Sequence, residues 1–413
     1  MQKSFIFHID FDSYFVSALR SIRPELKGKP VAVGKNGPEF LVTSVSYELR
    51  AKGVKTGMIN YEILKIEPKT IFVEGHFDIF TTISTNIFKH LSKNYSSLIS
   101  VVSIDECYLD VTDLVFSFEQ AYKLAQKMQN EILELFDIPV TIGISYNCFF
   151  AKMTTNISKP FGIGMTTKDN YQSNFFNLEI ENYYGIGKAS AQKLRKLGIN
   201  YIKDLVKEDL NHYQLKSVFG IIYRQWIANL NPNHYDRIVL KNSLPKGIGN
   251  EITFTSKNLD YEQILENLQK VVSLVILRCK RQMLVGNVLT LVVRHQNKKW
   301  QNKQQKLSQF TNDFNFIFTK AKELYLAHFS ETKIIGIGIR INNLIFEFEQ
   351  EKNFNLFEIA SNKNFTKLNQ LISQVNRKLN KPILYTMKEY NELKSLENKT
   401  NKFDLEGFTF KKR

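Results

Sequence analysis

Three acidic residues stand at the ends of two short apolar runs. Asp10 closes the run Phe7-His8-Ile9 and opens Asp10-Phe11-Asp12-Ser13-Tyr14-Phe15. Asp105 and Glu106 lie between Val101-Val102-Ser103-Ile104 and Cys107-Tyr108-Leu109-Asp110. The end of a buried strand holds a side chain on a rigid platform. Neighbours on a straight strand face opposite sides, so Asp105 and Glu106 serve one site only if a turn carries them. Three such carboxylates suit a hard divalent cation such as Mg²⁺, which completes its octahedron with water and substrate phosphate. Two ions about 3.5–4 Å apart would clamp the attacking and leaving oxygens of an in-line phosphoryl displacement. Taken singly, an acid at a strand end is more often a turn or cap residue, so the case rests on all three.

Other clusters suit phosphate. In Ser44-Val45-Ser46-Tyr47-Glu48-Leu49-Arg50, a helix from Ser46 puts Tyr47 and Arg50 on one face. A phenol beside a guanidinium can clamp a triphosphate; a solvated helix surface is the alternative. Lys159, in Ser158-Lys159-Pro160-Phe161-Gly162, follows an apolar helix on a turn. In Tyr184-Gly185-Ile186-Gly187-Lys188, the backbone N–H groups of Gly185, Gly187 and Lys188 precede a helix, which suits a phosphate. A turn between two helices accounts for that segment equally well.

The elements that must hold these residues follow from periodicity. Phe5–Ile9 is a strand, Phe77–Leu91 a helix, Ile99–Ile104 and Cys107–Val111 strands, Phe118–Phe136 a helix and Val140–Tyr146 a strand. The order β-α-β-β-α-β is the ferredoxin-like split arrangement. Residues 11–76 are inserted after the first strand, with short strands at Val31–Val33 and Leu41–Ser44. The chain turns polar at 168–182, and 183–231 reads as helical. After Asn231-Pro232-Asn233 and Leu244-Pro245-Lys246-Gly247 comes a second α+β region. It reads as a strand, the helix Tyr261–Arg281, strands Asn287–Arg294 and Trp300–Phe310, the helix Asn312–Ala327 and the strand Lys333–Ile341. One helical stretch, Phe365–Leu379, stands in the polar tail.

Composition excludes several classes. The 413 residues are 43% apolar and 23% charged, as expected of a globular chain of several domains. The longest largely apolar run, near Val271–Leu277, is far short of the roughly 20 residues of a membrane span. Asp10 and Asp12 interrupt the early apolar run, so no signal peptide is expected. Three scattered cysteines, Cys107, Cys148 and Cys279, argue against a disulfide framework or zinc cluster and fit a reducing cytoplasm. The net charge is +16. Residues 1–167 carry none of it, whereas 241–340 carry +9. Codon bias toward Lys would spread evenly; a basic segment beside a neutral one marks a polyanion-binding surface, for nucleic acid ahead of an anionic membrane surface.

The chain from about residue 3 to 342 resembles the Y-family DNA polymerases, the low-fidelity translesion enzymes, in their DinB-like branch. The resemblance is carried by the Asp10-Phe11-Asp12 opening, Ser103-Ile104-Asp105-Glu106-Cys107-Tyr108-Leu109-Asp110, Tyr47-Glu48-Leu49-Arg50 with Gly53-Val54, and Lys159-Pro160-Phe161-Gly162, in this order and at these distances. It implies an α+β multidomain right hand. The ferredoxin-like palm would be residues 1–10 and 77–167, the fingers 11–76, the thumb 168–232 with a helix-hairpin-helix, the linker 233–246, the α+β little finger 247–342 and a tail 343–413.

It also implies roles. Asp10, Asp105, Glu106 and the carbonyl of Phe11 match metal ligands for two Mg²⁺ ions, with Mn²⁺ able to substitute. Tyr47, Arg50 and Lys159 match triphosphate contacts, with Tyr14 and Ser44 beside them, and Phe15 matches the steric gate against a ribose 2′-hydroxyl. Gly185, Gly187 and Lys188 would hold the primer backbone, and Lys298, Lys303 and Lys306 would lie along the DNA. Asn353-Phe354-Asn355-Leu356-Phe357 resembles the peptide that binds the sliding clamp, with Leu356 and Phe357 as anchors and Asn353 in place of Gln. Other departures are Ser44 and Ser46 for the usual Thr and Asn, Val45 for a small residue, Phe161 for Asn and Tyr184 for Pro. The expected activity is template-directed addition of deoxynucleotides to a primer, without proofreading, by a cytoplasmic monomer with no membrane partner. A catalytically inactive DNA-binding accessory on the same fold is the alternative, and a palm-fold nucleotide cyclase a remote one.

Overall fold

The computed structural model describes residues 4–239, 244–254 and 259–349, and the chain divides near residue 241 into two compact units. The first unit holds strands β1 (Ile6–Phe11), β2 (Val31–Gly34), β3 (Val42–Val45), β4 (Ile71–Val73), β5 (Ile99–Val101), β6 (Glu106–Asp110), β7 (Val140–Ser145) and β8 (Ile163–Met165). Its main sheet has the order β5-β6-β1-β7-β8, with β1 antiparallel to both neighbours. The first four of these strands, with the helices Phe77–Asn94 and Phe118–Phe136, form the expected split β-α-β-β-α-β arrangement.

Alternation along β1 separates core from site. Phe7, Ile9 and Phe11 enter the apolar core with Ile87, Phe88, Ala125 and Met128 of the two long helices. Ile6, His8 and Asp10 face the other side. That side is covered by the helix Cys148–Ser158, which starts where the Asn147 side chain accepts from the Phe150 N–H at 2.8 Å. Gly143 on β7 lets this helix come close, because a Cβ there would lie 2.2 Å from the Ala151 carbonyl oxygen.

The strand β8, parallel to β7, is an addition to the expected four. Three residues with Gly164 in the middle carry no period-two signal. Residues 14–73 build a second sheet, β3-β2-β4, flanked by the helices Tyr14–Ile22, Tyr47–Arg50 and Asn60–Ile66. The polar stretch 168–182 contains the helix Tyr171–Phe175, whose Phe175 is buried and stacks on Phe150 at 5.6 Å. The helices Lys188–Lys196, His212–Phe219 and Ile222–Asn229 follow. Part of the expected connector lies on the main sheet: Arg237 donates to Asp110 at 2.8 Å, and Ile238 packs with Ile6 and Tyr108.

The second unit is a four-stranded antiparallel sheet, order β11-β10-β12-β9, formed by β9 (Gly247–Thr253), β10 (Leu284–His295), β11 (Trp300–Thr311) and β12 (Ile334–Phe346). Its helices Tyr261–Arg281 and Phe314–Phe329 cover one face and share a core with Leu289, Leu291, Ile337, Ile339 and Ile341. Asp260 and Gln263 close a capping box on the first helix, and Asp313 caps the second. The helix expected at Phe365–Leu379 and the expected anchors Leu356 and Phe357 lie outside the described residues. Among the described residues no helix is long and apolar enough to cross a membrane.

Candidate functional site

The register of β1 against β6 sets Asp10 opposite Glu106. Residues 103–105 bend, and the Ser103 N–H closes the turn on the Glu106 carbonyl at 3.2 Å. That turn meets the condition the sequence imposed on Asp105 and Glu106. The Phe11 N–H donates to the Asp105 carbonyl at 2.8 Å, so the bend is fixed to the end of β1. The Ser103 hydroxyl donates to the Asp105 carboxylate.

A buried lysine and a half-buried one meet these acids. Lys152 Nζ lies 3.1 Å from Asp10 Oδ2 and 2.5 Å from Glu106 Oε2, and Lys159 Nζ lies 2.5 Å from Asp10 Oδ1. Burial, with the charges of Asp10 and Glu106, raises the pKa of Asp105. Burial also works against the ionised form of Glu106, but the nearby His8 ring, 3.7 Å away, and the Lys152 charge outweigh it and hold the carboxyl low. His8 is buried behind Asp10, its Nδ1 3.0 Å from the Thr155 hydroxyl, and burial lowers its pKa to about 4.

Among the described residues, ligand atoms of His8, Asp10 and Glu106 lie within 4.8 Å of one another. The carboxylate oxygens fit a hard divalent cation, whereas an imidazole suits softer metals. His8 is also wholly enclosed, which suits a supporting role.

A cleft of about 180 Å³ opens beside the acids, lined by Asp10, Phe11, Tyr14, Phe15, Ser44, Arg50, Asp105 and Lys159 among others. All of these residues stand out in the sequence, and the fold brings them together. Glu106 is buried and is not among the residues that line the cleft. Tyr47 and Arg50 share a face as expected, with the guanidinium 5.2 Å from the ring centroid. Phe15 stacks on Phe80 at 4.5 Å and is packed edge-on by Phe77 at 5.3 Å, which fixes its ring at the cleft edge. Tyr14 is mostly core: its ring meets Phe11 and its hydroxyl donates to the Phe80 carbonyl.

Asp12, only 1% exposed, has no role foreseen from the sequence. Its carboxylate accepts from the Tyr47 hydroxyl at 3.0 Å, from the Thr141 hydroxyl at 2.9 and 3.0 Å, and from the Phe161 N–H at 2.8 Å. Burial raises its pKa against these donors. Lys152 was not foreseen either. Its signal was its place seven residues before Lys159, two helical turns away.

Gly185, with φ +99°, and Gly187, the N-cap, precede the helix that Lys188 begins. In the second unit the β10–β11 register puts Trp300, Asn302, Gln304 and Lys306 on the face away from the helices, with Thr290 and Arg294. Arg340 of β12, opposite Thr290, joins them. Gly336 and Gly338, opposite Arg294 and Val292, add no side chain to this face. Lys303 is on the opposite face, beside Leu291, and Lys298 sits on the hairpin turn with φ +64°. Neither Arg294 nor Arg340 stands out in the sequence.

Residues 9–156 match the impB/mucB/samB family, and residues 245–356 match that family's C-terminal domain. The DNA polymerase IV of Oceanobacillus iheyensis is 31% identical over 392 residues, covering 94% of this chain and 92% of that protein. A solved Y-family DNA polymerase chimera of Dbh and Dpo4 superposes with a TM-score of 0.72 at 27% identity, covering 83% of this chain and 99% of that one. An insertion ternary complex of Dbh DNA polymerase superposes at 0.61 with the same identity and coverage.

Proposed function

This chain belongs to the DinB-like branch of the Y family and is a translesion DNA-directed DNA polymerase dependent on divalent metal, and we propose which of its residues carry that activity. Asp10, Asp105, Glu106 and the carbonyl of Phe11 hold two Mg²⁺ ions, for which Mn²⁺ can substitute. The observation that carries this reading is the pairing of Asp10 with Glu106 across β1 and β6, with Asp105 on the adjoining bend. Bound there, the ions supply charge that stabilises the reacting phosphate oxygens.

The remaining roles belong to side chains around the cleft. Arg50 and Lys159 bind and orient the triphosphate, Ser44 adds a hydroxyl beside them, and Tyr47, its one proton given to Asp12, holds the helix that carries Arg50. Phe15, braced by Phe80, excludes a 2′-hydroxyl from the sugar position. Tyr14 supports that ring from the core side. Lys152 offsets the buried charge of Asp10 and Glu106 and keeps their carboxylates facing one another.

DNA and deoxynucleoside triphosphates are its partners. We assign the palm to 1–10 and 77–167, the fingers to 11–76, the thumb to 168–232, the linker to 233–246 and the little finger to 247–342. Gly185, Gly187 and Lys188 offer N–H groups to the primer backbone. Lys306, joined by Arg294 and Arg340, meets duplex phosphates without reading bases. Lys298 adds charge at the hairpin turn, and Lys303 adds it from the other face of the same strand. Leu356 and Phe357 engage a sliding clamp, and the enzyme acts as a cytoplasmic monomer.

Primer extension on a defined template, one nucleotide at a time, tests the reading. Addition of the complementary nucleotide should require Mg²⁺ or Mn²⁺ and stop on chelation. Extension that ignores the template or survives chelation overturns it.

A further inference from the structure

The carboxylate of Asp12 joins parts of the molecule that are far apart in sequence. One oxygen, Oδ1, accepts from Tyr47 on the helix Tyr47–Arg50. The other, Oδ2, accepts from the N–H of Phe161, two residues after Lys159. Thr141 on β7 donates to both oxygens from below. The backbone of Asp12 is itself fixed: its N–H donates to the Pro139 carbonyl at 2.9 Å, and its carbonyl accepts from Ser17 at 2.6 Å. All three partners of the carboxylate are donors, the complement its ionised form requires. Phe161 holds φ +50°, a conformation costly for a bulky residue, and its N–H bond to Asp12 helps to support it.

We propose that Asp12 is a positioning residue for the incoming nucleotide. It fixes the helix Tyr47–Arg50 against the Lys159–Phe161 turn, through the one proton of the Tyr47 hydroxyl on one side and the Phe161 N–H on the other, so Arg50 and Lys159 meet one triphosphate. This rests on the reading that Arg50 and Lys159 contact that triphosphate. Asp12 does not line the cleft; it acts through the two groups it holds.

Single-turnover insertion measured against nucleotide concentration tests this, with DNA affinity read separately by fluorescence anisotropy. Asp12→Asn keeps the volume but replaces one acceptor oxygen with a donor, which faces either the Phe161 N–H or the hydroxyls. It should weaken nucleotide affinity roughly 10- to 100-fold, the scale of hydrogen bonds to a charged group. The maximal insertion rate should fall much less, and DNA affinity should hold. Tyr47→Phe in the Asp12→Asn background should cost less than it does alone, since Asp12 acts partly through that hydroxyl. Thr141→Val, which removes only one of the three donors, should shift nucleotide affinity in the same direction by a smaller factor. It keeps the test available if Asp12→Asn does not fold.

The two ways of failing are separable. If Arg50→Ala leaves nucleotide affinity unchanged, the triphosphate reading itself fails. If Arg50→Ala weakens nucleotide binding but Asp12→Asn leaves it unchanged or tighter, Asp12 alone is overturned. Additive losses in the double variant, or a collapse of insertion rate at unchanged nucleotide affinity, also overturn it.

Discussion

The ammonium of Lys152 lies 3.1 Å from the Asp10 carboxylate, and both side chains are only 7% exposed. The same ammonium meets Glu106, so one buried cation bridges the two strand-end acids. The helix that brings it there approaches the sheet over Gly143, where any side chain would collide. A backbone detail on β7 thus decides the electrostatics at the ends of β1 and β6.

Lys152→Met should leave two acids facing one another with less positive charge. Breaking a buried pair costs about 3–5 kcal/mol, which in a unit of this size lowers Tm by roughly 10 °C. Millimolar Mg²⁺ should restore more of that loss in the variant than it adds to the wild type. Melting curves with and without Mg²⁺ check this; equal Mg²⁺ effects on both proteins would count against the shared-charge account.

Phe15→Ala removes the ring that stacks on Phe80 at the cleft edge. Incorporation of ribonucleotides relative to deoxynucleotides should rise by about tenfold or more, because a steric barrier is removed from one competitor only. Competition of the two nucleotides in single-nucleotide insertion measures the ratio. An unchanged ratio would remove Phe15 from the sugar position.

Lys306, Arg294 and Arg340 lie on the helix-free face of the second unit. A cation that neutralises one duplex phosphate accounts for about 0.9 of the slope of log affinity against log salt. Replacing all three residues with Gln should therefore flatten that slope by roughly 2–3. Lys303→Gln, on the opposite face, should change it less than Lys306→Gln does. A salt titration of duplex binding by anisotropy distinguishes these outcomes.

Much of this arrangement was legible in the chain. The helices Phe118–Phe136 and Tyr261–Arg281 fall where their periodicity put them, because long amphipathic patterns override local noise. Asp10, Asp105 and Glu106 were legible because three acids close two apolar runs and stand in motifs that match the family's order and spacing. The supporting contacts were not. Thr141 and Phe161 reach Asp12 across 129 and 149 residues, and Lys152 reaches Asp10 across 142. No local pattern encodes such meetings; they appear only once β1, β7 and the helix Cys148–Ser158 are packed. The Lys303 and Lys306 pair shows a smaller version, since only the β10–β11 register reveals that they face opposite ways.

Asp105 offers the most direct test of the catalytic centre, because it lines the cleft and takes no part in the Lys152 bridge. Single-turnover insertion by Asp105→Asn should fall by about a hundred- to a thousandfold, the scale seen when a catalytic electrostatic group is removed. Its affinity for primer–template DNA, measured in the same preparation, should stay within about twofold of the wild type, because phosphate contacts elsewhere carry binding. Insertion at a near-wild-type rate would contradict the account at its centre.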